Sequence, residues 1–425
     1  MSLDVPSPAV ATGKPKAIVL AGGFDQIGLI EELKRRNWKV VLVDYNPAPP
    51  AAPHADIHYQ ASTLDADAVT RIVQAEQASL LTTACTDQAL LTVAQVSEAL
   101  QLPCPFNTQA TRQLTNKRWM KERMREAGIP TSAFTIQHEK ADTPPSGLIF
   151  PLVCKPVDSN SSKGVTLAET PEQFPQAYAC ARAASRSGEV ICEEYIDGAE
   201  LSIDAFVING TTHVLMVSES QKLANEQGAF PIHRSIQPAP AAHLLADRIK
   251  MVVSQIARAF DIDNSPMIVQ AIASSRGLYI LELSARIAGG AKHCFIKAAT
   301  GYDVMRAYVD TLFGQHPSIP PTVFPMPADA PLHAMQYLYA RPCMLAKLEG
   351  FDMLKAQGVI LDYFPTKTPG MEVGSALNSS NRVAAALLSG VSTAALDEKL
   401  HQLFASARAL DHNGNDMLLR QALQQ

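Results

Sequence analysis

Two lysines, Lys117 in the run Asn116-Lys117-Arg118-Trp119-Met120-Lys121 and Lys155 in Pro151-Leu152-Val153-Cys154-Lys155-Pro156, bracket a helix-then-strand pattern. A loop of small and hydroxylated residues follows, Asp158-Ser159-Asn160-Ser161-Ser162-Lys163-Gly164-Val165. Its backbone N–H groups and hydroxyls can fold around phosphate oxygens. Farther along, Leu278 to Arg286 reads as a buried strand that brings Glu282, Ser284 and Arg286 to one face by alternation. A carboxylate and a guanidinium on one strand suit a divalent cation and a phosphate. Each feature alone is weak, because a lysine before proline or a glutamate on a strand is commonly a solvated or paired surface group. Their order along one chain predicts a nucleoside triphosphate site.

In that order the chain resembles the ATP-grasp superfamily, in the branch that holds biotin carboxylase, the carbamoyl phosphate synthetase large subunit and the L-amino acid ligases. The resemblance runs from about residue 15 to the end. It implies an α/β and α+β protein with the ATP-grasp fold: an N-terminal Rossmann-like domain, a central lid lobe and a C-terminal lobe. By resemblance, Lys117 and Lys155 look like the two nucleotide lysines, and Ser159, Ser161, Ser162 and Gly164 belong to the flexible phosphate loop. Glu193, Glu194, Tyr195 and Ile196 look like the hinge that meets adenine, and Glu200 matches the ribose-binding glutamate. Glu282 matches the metal-bridging carboxylate, and Arg286 the arginine that steadies a phosphorylated intermediate.

Two neighbours depart from that pattern. Gln270 stands at the first metal position, where Glu or Asp is usual, although Gln also occurs there in carbamoyl phosphate synthetase. Ser284 stands where Asn is usual. Losing one carboxylate removes an attraction of about 4 kcal/mol for a cation ~4 Å away at intermediate dielectric. A degenerate ATP-binding protein without ligation is therefore the alternative from another class. The segment Ser218 to Pro240 sits where the ligases place a substrate loop, so Lys222, His233 and Arg234 are candidate contacts for an anionic substrate. For His233 a satisfied loop histidine is an equal reading, and Lys222 and Arg234 read as well as surface charges. Gly289 and Gly290 permit close backbone approach to a substrate or simply a tight turn, and Lys292 is a candidate third phosphate contact.

The implied reaction is activation of a carboxylate by ATP, with Mg²⁺ or Mn²⁺, to an acyl phosphate that an amine attacks. A second catalytic alternative is carboxylation of the biotin carboxylase or carbamoyl phosphate synthetase kind, since Gly358-Val359-Ile360, Pro369-Gly370 and Arg382 resemble the last lobe of both groups. No biotin-acceptor lysine motif is present. The stretch Gly22-Gly23-Phe24-Asp25-Gln26 also resembles ATP-grasp proteins of cell-surface polysaccharide synthesis, which keeps sugar acids beside amino acids as substrates.

The elements that must position these groups are legible. Ala17–Ala21 reads as a strand, Gly22-Gly23 as a turn, Ile27–Arg36 as a helix and Val40–Val43 as a second strand ending at Asp44, a βαβ unit. Further apolar and polar alternation to Leu100 predicts a parallel sheet of several strands. A dinucleotide fingerprint fails here, because GxGxxG cannot be laid on Gly22-Gly23-Phe24-Asp25-Gln26-Ile27-Gly28. Thr115 is the expected N-cap of a helix from Asn116 to Ala127, closed by Gly128 and Pro130. Lys117 in its first turn opposes the helix dipole, so a bound anion would compensate it. The expected units are a tail over 1–15, a Rossmann-like domain over 16–110, an ATP-grasp domain over 111–320 with its lid at 134–195, and a last lobe over 325–425. Helices are expected at Pro171–Ser185 within the lid and Leu396–Ala407 in the last lobe.

Composition bounds the rest. The chain has 425 residues, 47% hydrophobic and 18% charged, with a formal net charge of -5. That balance gives no electrostatic case for nucleic acid or an anionic membrane. Its seven cysteines are scattered without a CxxC pair, which favours a reducing cytoplasm. The Pro/Ala/Ser-rich start lacks a signal-like h-region, and no run is apolar enough to span a bilayer. Expected partners are a small carboxylate and a small amine, with a homodimer as the oligomeric expectation.

Overall fold

The computed structural model describes residues 13–138, 141–159, 162–223, 231–320, 324–327 and 329–420. Most of the expected tail, Ser161, and residues 224–230 of the expected substrate loop lie outside them.

Except for the third, the N-terminal strands are mostly apolar. β1 (Lys16–Leu20), β2 (Lys39–Asp44), β3 (Ile57–Gln60) and β4 (Leu80–Thr82) form one parallel sheet in the order β3-β2-β1-β4. A parallel sheet is covered on both faces, and continuous apolar runs satisfy that demand. Ala17, Val19 and Leu42 pack on the side of helix Ile27–Arg35, while Ile18, Leu20, Val41 and Val43 pack on the side of helices Ala66–Glu76 and Asp87–Leu100. The glycine turn after β1 is structural. Gly22 N donates to Asp44 Oδ2 at 2.6 Å, and a Cβ on Gly22 would lie 2.5 Å from Pro49 Cβ.

Helix Lys117–Glu126 follows, and its cap differs from expectation. Thr115 ends the preceding helix, Thr108–Thr115, and Asn116 is the N-cap, accepting from Arg118 N at 2.9 Å. A shared junction between two helices leaves a single extended residue, and Asn116 occupies it. Gly128 at φ +66° closes the helix as its spacing predicts.

A small antiparallel sheet is then built from β5 (Phe134–Gln137), β6 (Leu152–Pro156), β7 (Thr166–Ala168) and β8 (Val190–Glu194), ordered β5-β8-β6-β7. Helix Phe174–Ala184 covers one face through Phe174, Ala177, Tyr178 and Ala181 and begins three residues later than expected, because Pro171 lies in the turn before it.

The largest sheet is wholly antiparallel. It contains β9 (Ala199–Ile208), β10 (Thr211–Lys222), β11 (Ile232–Gln237), β12 (Ser265–Ser274) and β13 (Gly277–Ser284). Of the later strands β14 (Leu332–Tyr339), β15 (Cys343–Glu349), β16 (Asp362–Pro365), β17 (Glu372–Val373), β18 (Arg382–Gly390) and β19 (Arg408–Asp411), three join it. The order is β13-β12-β9-β10-β11-β14-β18-β16, while β17-β15-β19 form a separate three-stranded sheet. Helix Thr393–Ser406 packs Leu396, Leu400, Leu403 and Phe404 into the core beneath β14 and β18. Among the described residues, no helix is long and apolar enough to cross a membrane.

Candidate active site

A cleft of 720 Å³ opens where the parallel sheet, the small sheet and β9 to β13 meet. Lys117, Lys155, Ser159, Ser162, Glu193, Glu194, Tyr195, Ile196, Glu200, Lys222, Gln270, Glu282, Ser284, Arg286, Gly289, Gly290 and Lys292 all line it. Gly164, His233 and Arg234 do not.

The two expected nucleotide lysines both line the cleft. Lys117 N donates to Val157 O at 2.8 Å, which ties the start of its helix to the end of β6. Its Nζ donates to Ser159 O at 2.7 Å and lies 3.5 Å from Glu282 Oε2. Lys155 projects from β6, its Nζ 3.2 Å from Glu193 Oε1. Glu193 also receives Lys121 Nζ at 2.8 Å and Ser132 Oγ at 2.6 Å, on its other carboxylate oxygen. Burial would raise the Glu193 carboxyl, but Lys121 and Lys155 together hold it well below the usual carboxylate range. Lys121 is almost wholly buried, and burial lowers its pKa against the pull of Glu193. Lys155 is held charged, since Glu193 and Glu282 outweigh its burial.

Lys121 was not among the sequence candidates. It lies one helical turn after Lys117, at i+4, and that spacing was the available signal. It pins its helix to β8 and, through Ile280 O at 3.4 Å, to β13, while Nζ also reaches Thr131 Oγ1 at 2.6 Å just ahead of β5. The side chain of Glu193, at the expected adenine hinge, thus points into a buried ionic cluster. Beside it, Glu194 Oε1 accepts from Ile149 N at 3.0 Å, and Tyr195 N donates to Pro151 O at 2.9 Å. Glu200 is buried and paired with Lys222, so the expected ribose and substrate groups neutralise each other across β9 and β10.

Gln270 and Glu282 are register partners on β12 and β13. The strand stops at Ser284, short of the expected Arg286, so Arg286 is presented from the turn that follows and not by strand alternation. Its guanidinium forms a two-pronged pair with Asp87, with Nε to Oδ1 at 2.5 Å, and Nη1 donates to Ile287 O at 2.9 Å. Burial would lower Arg286, and Asp87 holds it above the ordinary value; Asp87 in turn is kept below its own by Arg286 against burial. Asp87 begins helix Asp87–Leu100 beside the parallel sheet, 199 residues away, and the sequence carried no local signal for it. Ser284 Oγ is buried beside Asp87 and helps to hold that carboxyl below its ordinary value.

The Gly289-Gly290 turn is held from the same side. Asp25 Oδ2 accepts from Gly290 N at 2.9 Å and Oδ1 from Ala291 N at 2.7 Å. Gly290 has φ +76°, and a Cβ there would lie 3.0 Å from the Tyr337 ring and 3.2 Å from Arg382 Nη1. Arg382 stacks 3.7 Å over Tyr337 and donates to Tyr339 Oη and Ile232 O, both at 3.0 Å. Lys292 is buried and donates to Ser218 Oγ, with Asp204 Oδ2 3.7 Å away. Burial lowers Lys292 and raises Asp204.

Three expected contacts lie elsewhere. His233 is buried on β11, and burial, then Arg234, lowers it to about 4, so it stays neutral near pH 7. Arg234 Nε donates to Gln336 Oε1 at 2.9 Å, a cross-strand pair with β14. Gly164 turns back against Ala184, where its φ of +71° and the nearby Cβ exclude a side chain.

This architecture is the ATP-grasp fold, and residues 148–294 match the ATP-grasp domain family. Among proteins of known sequence, the chain is 29% identical over 250 residues to a formate-dependent phosphoribosylglycinamide formyltransferase of Azoarcus sp. (strain BH72), covering 56% of this chain and 61% of that protein. With a second such enzyme, of Vibrio cholerae, it is 31% identical over 187 residues, 42% of this chain and 47% of that one. The chain thus spans about half to three-fifths of the length of these relatives. The solved L-amino acid ligase from Bacillus licheniformis superposes with a TM-score of 0.76 at 20% identity, covering 94% of this chain and 100% of that one.

Proposed function

We propose that the protein is an ATP-dependent carboxylate-amine ligase that forms an amide or peptide bond through an acyl phosphate and releases ADP and phosphate. The observation that carries this reading is the convergence of Lys117, Lys155 and the Glu282–Arg286 pair, from three separate stretches, on one cleft. Phosphoryl transfer asks chiefly for positioning and charge neutralisation. Lys117 and Lys155 supply fixed positive charge for a triphosphate, and Arg286, braced by Asp87, supplies it for a phosphorylated intermediate. The small sheet, with Ser159 and Ser162 at its mouth, excludes water from an acyl phosphate.

The donors also suit a hard cation. Glu282 offers a carboxylate, Gln270 an amide oxygen as its register partner, and Ser284 a buried hydroxyl beside Asp87. These residues would hold Mg²⁺ or Mn²⁺, which neutralises phosphate charge when bound. The substrates are a small carboxylate and a small amine, met near Gly289, Gly290 and Lys222. The match of residues 148–294 to the ATP-grasp domain and the superposition on an L-amino acid ligase support ligation as the class. The seven cysteines without a disulfide fit a reducing cytoplasm.

The test is phosphate release from ATP and Mg²⁺ by the purified protein with pooled amino acids and pooled sugar acids, with Lys155→Ala as control. Substrate-dependent release abolished by the substitution supports ligation and identifies the pool. Nucleotide binding without release in either pool would overturn it in favour of the nucleotide-binding reading that Gln270 and Ser284 motivate. The substitution leaves Glu193 paired with Lys121, so its effect reads on the cleft.

A further inference from the structure

The carboxyl ends of β1 and β4 carry a second constellation. Asp25 sits in the short turn Phe24–Gln26 after β1, Cys85 in the loop after β4, and His293 in the first turn of helix Lys292–Thr300. One carboxylate oxygen, one thiol and one imidazole nitrogen lie within 4.8 Å of one another. From these residues we infer a binding site for a single borderline-soft divalent cation of the Zn²⁺ class.

Several observations carry this. The chain runs from β1 to β2 on one side and returns to β4 on the other, as the order β3-β2-β1-β4 requires. The crevice above β1 and β4 is therefore the topological switch point, where open parallel sheets bind ligands. His293 Nδ1 is buried and has no hydrogen-bond partner, an arrangement costly to leave empty-handed. The imidazole has room because residue 28 is glycine, since a Cβ there would lie 3.1 Å from His293 Nε2. Asp25 is already oriented by the N–H groups of Gly290 and Ala291, which is how supporting contacts fix a metal-binding carboxylate. Among the described residues, Cys85 Sγ has one hydrogen-bonding approach, to Asp25 O at 4.0 Å, a weak competitor for its sulfur.

Carboxylate, thiolate and imidazole are together the donor set of zinc rather than of Mg²⁺. Binding forms a metal–Sγ bond and releases the thiol proton to solvent, so two anionic ligands neutralise the dication in a partly buried place. Tetrahedral ligands at these bond lengths stand about 3.5 Å apart, so the three groups draw in by roughly 1 Å. The same cation would tie the N-terminal sheet to the Gly289-Gly290 turn, making the turn's order sensitive to metal.

The experiment is a Co²⁺ titration of the reduced, chelator-treated full chain in the absence of nucleotide. The expected result is one tight site with thiolate-to-cobalt charge-transfer absorption, displaced by Zn²⁺. Cys85→Ser should abolish the charge-transfer band, and His293→Gln should weaken binding about ten-fold or more. Cys180→Ser, at an exposed cysteine, should leave the band intact. Glu282→Gln should leave it intact too, which separates this site from a nucleotide-linked cation. Thermal unfolding checks that each variant is folded, and His293→Gln serves if Cys85→Ser is not. Absence of the band in the parent chain, or its persistence in both folded ligand variants, would overturn the inference.

Discussion

At the residue scale, the strongest electrostatic commitment is Glu193, which faces two lysines in a nearly dry cluster. Removing one member of a buried ion pair leaves the others uncompensated, so Glu193→Gln should destabilise the fold by about 3 kcal/mol, read as a lower urea midpoint at neutral pH. The pH dependence follows from the depressed folded pKa. Its contribution is fully present above the unfolded value of about 4.3 and is lost as pH falls from there through the folded value. Urea midpoints of the parent chain should therefore fall in that acid window, and those of Glu193→Gln should be flatter there. His233 acts in a different window. Its folded value is about 4 and its unfolded value about 6.5, so between them the unfolded chain binds a proton that the folded chain refuses. Stability should fall as pH drops from 6.5 to 4, and His233→Gln should reduce that slope. That Lys117, Lys155, Glu282 and Arg286 line one cleft accords with the order of their motifs along the chain, which carried the signal that no single motif did. Lys121 and Asp87 were not legible in that order, because their roles depend on partners 72 and 199 residues away, and separation in sequence carries no such signal.

At the element scale, type was easier to read than edge. The apolar runs of β1 and β2 named a parallel sheet correctly, since burial on both faces leaves little room for polar residues. The helix of Lys117 was also legible, but its cap moved from Thr115 to Asn116 because another helix ends at that point. The strand of Glu282 stops two residues before Arg286, where the chain turns toward the N-terminal domain. The turn after it gives a prediction of its own. Gly290→Ala must hold φ near +76° and push against Tyr337 and Arg382. A cost of about 1–3 kcal/mol is expected for such a conformation, measured as a lower thermal midpoint. A matched substitution, Gly289→Ala, should be milder, because Gly289 has an ordinary φ and its nearest neighbour would be Asp25 Oδ2 at 3.3 Å.

At the scale of the whole molecule, the cleft is assembled from parts that no single segment contains. The Asp87–Arg286 pair and the contacts of Asp25 with Gly290 and Ala291 join the N-terminal sheet domain to the rest of the site. Asp87→Asn keeps a hydrogen-bond acceptor but removes the charge that braces Arg286, so kcat for phosphate release should fall about ten-fold or more while ATP binding persists. Steady-state release alongside nucleotide titration checks both halves. The eight-stranded sheet has a consequence for recombination between relatives. The small sheet joins the chain by two crossings, near residues 130–134 and 194–199, so an exchange has two splice points, provided the donor keeps a carboxylate at Glu193 for Lys121 and an acidic partner at Glu189 for Arg118. The last hundred residues cannot, because β14, β18 and β16 continue the hydrogen-bond ladder begun by β9. A graft at residue 320 would have to reproduce the β11–β14 register, from Arg234 opposite Gln336 to Gln237 opposite His333, or leave β11 as a raw edge open to pairing with other chains.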